Sequence, residues 1–145
     1  MSVSQNNVVE FPAEADELPL IPEGLYRLAF KRYKIARRFD RDILEIEFAV
    51  TDFGEHFGKK LVRYYTVRAS DKRRNFTARP RRDYAREYAH LFGRRPRFGT
   101  ASLEIFRKHI IVGRVGTTTT DHRQKRLPEA AHYSKVRELV CKEGG

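Results

Sequence analysis

Apolar and polar side chains alternate with a period of two along three segments in the first half of the chain. In the segment that begins at Gly24, Leu28 and Phe30 fall on one face of an extended strand. Residues 43–50 repeat the pattern, and residues 60–67 follow with many β-branched and aromatic side chains. A period of two is typical of a half-buried β-strand. The sequence therefore predicts a meander of three strands.

The second of these strands carries charged residues on one face. Residues 34–41 break the alternation and are expected to form the loop before it. In the strand itself the apolar side chains point inward, and Glu45 and Glu47 point outward. We expect Arg27 and Lys31 of the first strand either to bind phosphates or to pair with these two glutamates.

The third strand contains two adjacent tyrosines, Tyr64 and Tyr65, which must point to opposite faces of the sheet. We expect Tyr65 in the core and Tyr64 on the outer face, where its ring can stack on a base. This register places Arg63 inward, so the reverse assignment stays open.

One helix is predicted after the third strand, starting near residue 83. Tyr84, Tyr88 and Leu91 recur at helical spacing and are expected to form its core face. Gly93 follows, which is the residue type that most often caps a helix C-terminus. The strand meander is therefore followed by an amphipathic helix.

The last third of the chain returns to strands. A single-turn helix capped by Thr100 or Ser102 is expected first. Residues 109–116 then form a strand that the following threonines extend, and the polar loop 121–126 leads toward the last element. Periodicity alone allows residues 133–140 to be a helix or a strand, and their β-branched side chains favour a strand.

The predicted order, β-β-β-α-β-β, is that of the OB-fold, a five-stranded Greek-key barrel that commonly binds oligonucleotides on its strand 2–3 face and on its strand 1–2 and 4–5 loops. We therefore expect a mainly β protein with one helix between strands 3 and 4. Residues 1–22, which are acidic and contain three prolines, are expected to be a flexible segment, and residues 23–142 the OB-fold domain.

Basic residues dominate this domain. The 145-residue chain has a net charge of +11. Residues 1–22 hold four acidic residues and no basic one, so residues 23–145 carry all 30 basic residues against 15 acidic ones, a net charge of +15. A domain this basic repels itself, which indicates a polyanionic partner.

The candidate binding residues combine cations with flat rings, as single-stranded nucleic acid requires. Phe39 lies among arginines in the strand 1–2 loop, where its ring either stacks on a base or covers the end of the barrel. Residues 68–82 are too charged to pack and are expected to form a loop or arm. The full candidate set is Arg27, Lys31, Arg37, Arg38, Phe39, Arg41, Tyr64, Lys72, Arg73, Arg74, Phe76, Arg114, Arg123, Lys125 and Arg126.

The sequence gives little support for catalysis. The single cysteine, Cys141, excludes an intramolecular disulfide and a zinc site of several thiolates. The five histidines form no i, i+4 pair, and neither a phosphate-binding loop nor a nucleophile elbow occurs. We expect no enzymatic activity, no cofactor and no metal. Asp40, Asp42, Glu45 and Glu47 nevertheless keep a metal-dependent nuclease as an alternative.

Three short motifs carry a resemblance to a known group of proteins. They are residues 20–26, residues 54–59 with the following 63–67, and residues 133–140. They resemble single-stranded-DNA-binding proteins of phages, plasmids and integrative mobile elements, over roughly residues 18–142. The basic segment 68–82 departs from that pattern.

The resemblance implies sequence-nonspecific coating of single-stranded DNA during replication, recombination or transfer of a mobile element. Binding to RNA or to an acidic protein partner is the alternative, since RNA recognition also uses stacked single strands. A homo-oligomer is compatible with the sequence. No apolar run is long enough to span a bilayer, so we expect a cytoplasmic protein without membrane association.

Overall fold

Five long strands close into a barrel in the computed structural model, which describes residues 18–97 and 99–144, apart from the side chain of Asp71. In chain order the elements are β1 (Gly24–Arg38), β2 (Arg41–Val50), β3 (Lys60–Ala69), a 3₁₀ turn (Asp71–Arg73), β4 (Phe76–Thr77), α1 (Asp83–Phe92), a 3₁₀ stretch (Gly99–Lys108), β5 (Ile110–Thr118), a 3₁₀ turn (Glu129–Ala131) and β6 (Tyr133–Lys142).

The barrel closes in the order β1-β2-β3-β6-β5 and back to β1. Its strand pairs are antiparallel except for β3 and β6, which run parallel and are bridged at Arg63 and Val136. The mainly β class is therefore confirmed, and this closed, mixed five-stranded barrel with one α-helix is consistent with an OB-fold-like architecture.

The predicted element order is wrong at one point, because α1 follows the short strand β4. This two-residue strand pairs with the end of β3, Arg68 with Thr77 and Ala69 with Phe76. The expectation that residues 68–82 form only a loop or arm is corrected accordingly. Strand β4 consists of only Phe76 and Thr77. Two residues are too few to show an alternation in the sequence.

Strand β1 is longer than its alternation suggests. The predicted loop 34–41 is instead the end of β1, a two-residue turn and the start of β2. A β-bulge between Phe30 and Arg32 shifts the register by one residue and so exchanges the two faces of the strand. Leu28 points into the core before the bulge and Ile35 packs against the core after it.

The core lies between the inner faces of the strands and the two helical segments. Helix α1 begins and ends as predicted, Gly93 adopts the left-handed conformation, and Tyr84, Tyr88 and Leu91 are buried. The predicted single-turn helix is the longer 3₁₀ stretch, which buries Leu103 and Phe106. Within the ranges described above, no helix is long and apolar enough to cross a membrane.

The expected boundary after residue 22 falls inside the packed body. Ile21 is 4% exposed, and its backbone N–H donates to Ser134 Oγ at 2.8 Å. The Ser134 N–H in turn donates to the Pro19 carbonyl at 2.8 Å. The start of β6 therefore holds residues 19–21, while the rest of the predicted acidic segment, residues 1–17, lies outside the described residues.

Candidate nucleic-acid interface

The β1–β2 hairpin ends in a turn of two residues, Phe39 and Asp40, with φ of +50° and +61°. Positive φ at both central residues is what a type I′ turn requires, and glycine, asparagine and aspartate are favoured there. A bulky side chain in this conformation costs about 1–2 kcal/mol. The turn adopts this strained conformation with the Phe39 ring at its tip, where the side chain is 58% exposed.

The β5–β6 loop has an ordered turn of its own. The carboxylate of Asp121 accepts the backbone N–H groups of Arg123 and Lys125, at 2.8 and 2.9 Å. The Asp121 N–H donates to the Lys125 carbonyl at 2.8 Å, which closes the turn. His122 is exposed within this turn, and basic residues follow it at positions 123, 125 and 126.

The tips of these two loops meet. The rings of Phe39 and His122 are stacked, with centroids 4.0 Å apart and an interplanar angle of 18°. The contact brings together two basic segments that are far apart in sequence. The predicted site residues on them are Arg37, Arg38, Phe39, Arg41, Arg123, Lys125 and Arg126.

Asp42 joins a third basic segment to the hairpin. Its carboxylate accepts the backbone N–H of Ala69 at 3.0 Å and pairs with Arg37 at 3.2 Å. The Ala69 hydrogen bond and the Arg37 charge hold the pKa of this carboxyl below its usual range. The turn after β3 presents the predicted site residues Lys72, Arg73 and Arg74, all exposed.

The outer face of β3 carries Tyr64, as predicted. Tyr65 is 2% exposed and lies in the core, whereas Tyr64 is partly exposed. Burial raises the pKa of Tyr64, and the neighbouring Tyr133 and Glu45 raise it further, so the phenol stays neutral at physiological pH. Tyr64 therefore presents a neutral, partly exposed ring on the outer face of β3, opposite Glu45 of β2.

Glu45 and Glu47 lie on the outer side of β2, as expected, but they are covered. They are 1% and 3% exposed. Arg38 Nε lies 2.5 Å from Glu45, and Arg32 Nε lies 2.9 Å from Glu47. The alternative pairing with Arg27 and Lys31 is wrong, because the bulge in β1 places Arg32 opposite Glu47.

Four of the predicted site residues lie elsewhere. Arg27 pairs with Glu143 at 2.5 Å, and Arg114 pairs with Glu138 at 3.4 Å, both on the β1–β5–β6 wall of the barrel. Lys31 is exposed at the β1 bulge. Phe76, 2% exposed, packs edge-on against Tyr84 in the core, so its ring cannot stack on a base and its prediction as a binding residue is corrected.

Three outward residues of β6 were missed by the sequence prediction. Tyr133, Lys135 and Arg137 alternate along the strand beside the outer face of β3. Residues 133, 135 and 137 share one face of a strand, so assigning faces to the predicted strand would have revealed them.

A second exposed aromatic pair lies at the other end of β2. Phe53 and Phe57 stack with ring centroids 6.2 Å apart in the β2–β3 turn. Phe53 is 99% exposed. The ten residues of β2 separate this pair from the hairpin tip by about 30 Å.

Among residues 18–97 and 99–144, no three His, Cys, Asp or Glu residues cluster closely enough to hold a metal ion. The carboxylates at the candidate site, Asp42 and Glu45, each pair with an arginine of the β1–β2 hairpin. Comparison with protein-family models, curated proteins and solved structures found no match to this chain.

Proposed function

We propose that this chain binds single-stranded DNA without sequence specificity. The binding surface is the outer face of β3 and β6, bordered by the β1–β2 hairpin and the β5–β6 loop. In this proposal the barrel is an OB-fold, and the protein coats single strands during replication, recombination or transfer of a mobile element.

The observation that carries the proposal is the Phe39–His122 stack. It joins two cationic loops at an exposed ring pair, and Tyr64 lies on the outer face of β3, opposite Glu45. Cations along a track neutralise phosphates, and flat rings accept unpaired bases at about 1–3 kcal/mol per base. A duplex hides its base faces, so the combination favours single strands over duplex.

The backbone of the hairpin tip supports the same proposal. An asparagine or glycine would relieve the positive φ that Phe39 adopts, yet this position holds a ring that is 58% exposed. Backbone strain of this kind clusters at ligand-binding sites.

Amide chemical-shift mapping tests the location of the surface. A thymidylate oligonucleotide of about ten nucleotides, within the range of one such barrel, is titrated into the ¹⁵N-labelled full chain. We expect the perturbed amides in four places: residues 37–41, Tyr64, residues 122–126 and residues 133–137. Perturbations centred on Arg27 and Arg114, or on Phe53, would contradict the proposed surface.

The same titration with a uridylate oligonucleotide tests the preference for DNA. We expect weaker binding of the RNA strand at the same amides. Tighter binding of RNA would assign the surface to RNA, because both nucleic acids offer phosphates and unpaired bases.

A further inference from the structure

A cavity of about 110 Å³ opens on the outside of the barrel where β3 meets β6. The two strands are bridged there at one parallel pair, Arg63 and Val136, which leaves a gap in the wall. The cavity is far smaller than the roughly 300–1,000 Å³ of small-molecule sites. Its size therefore suits a small ionic group rather than a nucleoside.

Three of the five lining residues are basic. The cavity is lined by Arg63, Tyr64, Lys135, Val136 and Arg137. The charge of Arg63 is compensated from the inner side by Glu87, whose carboxylate accepts its Nε–H at 3.2 Å. The other two cations have no such partner, since no carboxylate of the described chain forms an ion pair with Lys135 or Arg137.

Arg137 is held in place at the rim of this cavity. Its guanidinium donates to the Thr117 carbonyl at 2.9 Å, and its stem crosses Gly116 on the neighbouring strand. A Cβ atom at residue 116 would lie 2.1 Å from Arg137 Nε and 2.6 Å from its Cδ. Glycine at this position therefore allows the arginine to lie across β5.

The positive charge of Lys135 is disfavoured at this position. Burial lowers the pKa of its amine, and the charges of Arg137 and Arg63 lower it further. A partly buried ammonium group between two other cations destabilises the fold unless an anion joins it. Tyr64 links this position to the proposed base platform, because the same side chain lines the cavity and lies on the outer face of β3.

We propose that this cavity binds one backbone phosphate of the single strand, held by Lys135 and Arg137. The inference rests on the proposed function and names the residues that fix the path of the strand between Tyr64 and β6. A phosphodiester supplies the missing negative charge, and the base next to it can stack on Tyr64.

The test uses Lys135→Met, which keeps the aliphatic stem, and Gly116→Ala, which displaces Arg137 without changing the charge. Lys108→Met is the matched control, because Lys108 is an exposed lysine at the end of the 3₁₀ stretch. Binding of a fluorescent thymidylate oligonucleotide is measured by anisotropy at several salt concentrations. Separately, inorganic phosphate is titrated into the ¹⁵N-labelled full chain at constant ionic strength.

We expect Lys135→Met to raise the Kd for the oligonucleotide roughly tenfold, the usual effect of losing one charge-assisted hydrogen bond. The slope of log Kd against log salt concentration should fall by about 0.7, which is the contribution of one phosphate contact. Gly116→Ala should weaken binding in the same direction, and Lys108→Met should match the wild type. Inorganic phosphate should shift the amides of residues 63–64 and 135–137 in the wild type but not in Lys135→Met.

Thermal unfolding distinguishes a variant that binds weakly from one that fails to fold. Removing an uncompensated charge should leave the Tm of Lys135→Met at pH 7 equal to or above that of the wild type. Unchanged Kd and salt slope in Lys135→Met, while the wild type binds the oligonucleotide, would overturn the phosphate site and leave the proposed function intact. Phosphate shifts at the cavity in a wild type that does not bind the oligonucleotide would support the anion site and reject the single-strand function.

Discussion

The Phe39 ring lies flat against the His122 ring, 4.0 Å between centroids, and thereby joins the β1–β2 hairpin to the β5–β6 loop. The two residues belong to different turns: Phe39 and Asp40 form a two-residue hairpin turn at positive φ, and the Asp121 carboxylate accepts two backbone N–H groups in the turn that carries His122. Their contact therefore assembles two preformed basic loops into one surface. The proposed binding surface depends on this assembly.

Phe39→Asn separates the function of the ring from its contribution to the fold. Asparagine relieves the backbone cost of about 1–2 kcal/mol at positive φ, which offsets the loss of an aromatic pair worth about 0.5–1.5 kcal/mol. We expect the free energy of unfolding to stay within about 1 kcal/mol of the wild type. Binding of a thymidylate oligonucleotide should weaken roughly tenfold, the effect of losing one stacked base.

Urea unfolding and fluorescence anisotropy measure the two quantities. Phe53→Asn is the control, because Phe53 is an exposed ring about 30 Å away along β2. Equal affinity of the wild type and Phe39→Asn would contradict a stacking role for the Phe39 ring.

Arg123→Gln tests the cationic track. The side chain is exposed in the β5–β6 loop, so its removal should leave stability nearly unchanged. If Arg123 contacts a phosphate, the slope of log Kd against log salt falls by about 0.7. Arg107→Gln, on the 3₁₀ stretch, should keep the wild-type slope, and an equal fall in both variants would show that only the total charge of the protein matters.

Glu45→Gln distinguishes strand binding from the nuclease alternative. The Glu45 carboxylate holds Arg38 at 2.5 Å, and its Oε1 atom has no hydrogen-bond partner within the described chain. Removing the negative charge releases Arg38 for a phosphate, so we expect tighter binding and a steeper salt dependence. A magnesium-dependent cleavage activity that Glu45→Gln abolishes would instead support a nuclease.

Glu87 fixes the helix to the barrel. Its carboxylate accepts hydrogen bonds from the Tyr65 hydroxyl at 2.7 Å and the Leu139 backbone N–H at 2.9 Å, and it pairs with Arg63. The pair is largely buried, with side chains 10% and 12% exposed. Glu87→Ala leaves Arg63 without its partner, so we expect a loss of about 3–5 kcal/mol in the free energy of unfolding.

Glu104→Ala is the control for this loss, because Glu104 forms an exposed pair with Arg107. Urea unfolding followed by circular dichroism measures both variants. A loss in Glu87→Ala no larger than that in Glu104→Ala would show that the buried pair contributes little to stability.

The lowered pKa of the Asp42 carboxyl group makes the stability of the protein depend on pH. The hydrogen bond from Ala69 and the charge of Arg37 lower its pKa in the folded protein below the ordinary value of 3.8. Its contribution is therefore complete above pH 3.8 and is lost as the pH falls through the lower folded-state pKa. We expect Asp42→Asn to be less stable than the wild type at neutral pH and to approach it in acid. A difference that does not shrink in acid would contradict this linkage.

Much of the barrel follows from local sequence patterns. The alternation in β2 and β3, the β-branched side chains of β6 and the spacing of Tyr84 and Tyr88 predict the strands and the helix, because each pattern is complete within one element. The bulge in β1 reverses the faces of that strand and hides its continuation to Arg38. The two-residue strand β4 is too short to carry a pattern.

The site was less predictable than the fold. The outward position of Tyr64 follows from the burial of its neighbour Tyr65, because adjacent strand residues point to opposite faces. The arginines of the hairpin are recognised as candidate phosphate contacts from the basic composition of that segment. The Phe39–His122 contact depends on barrel closure, which brings together residues that no local pattern relates. Arg32 and Arg38 lie over the two β2 glutamates because of the register that β1 adopts after its bulge. The burial of these glutamates could therefore not be predicted from alternation.

The most direct test of the account compares a labelled thymidylate oligonucleotide of about 20 nucleotides, long enough to exceed the footprint of one barrel, with the same length of duplex DNA. Anisotropy is measured at low and high salt, with the label on the DNA because the chain has no tryptophan. We predict tight binding of the single strand, weaker binding of the duplex, and affinity for the single strand that persists in part at high salt through stacking. Equal binding of both forms that disappears with salt would contradict the account, because charge alone would then explain the binding.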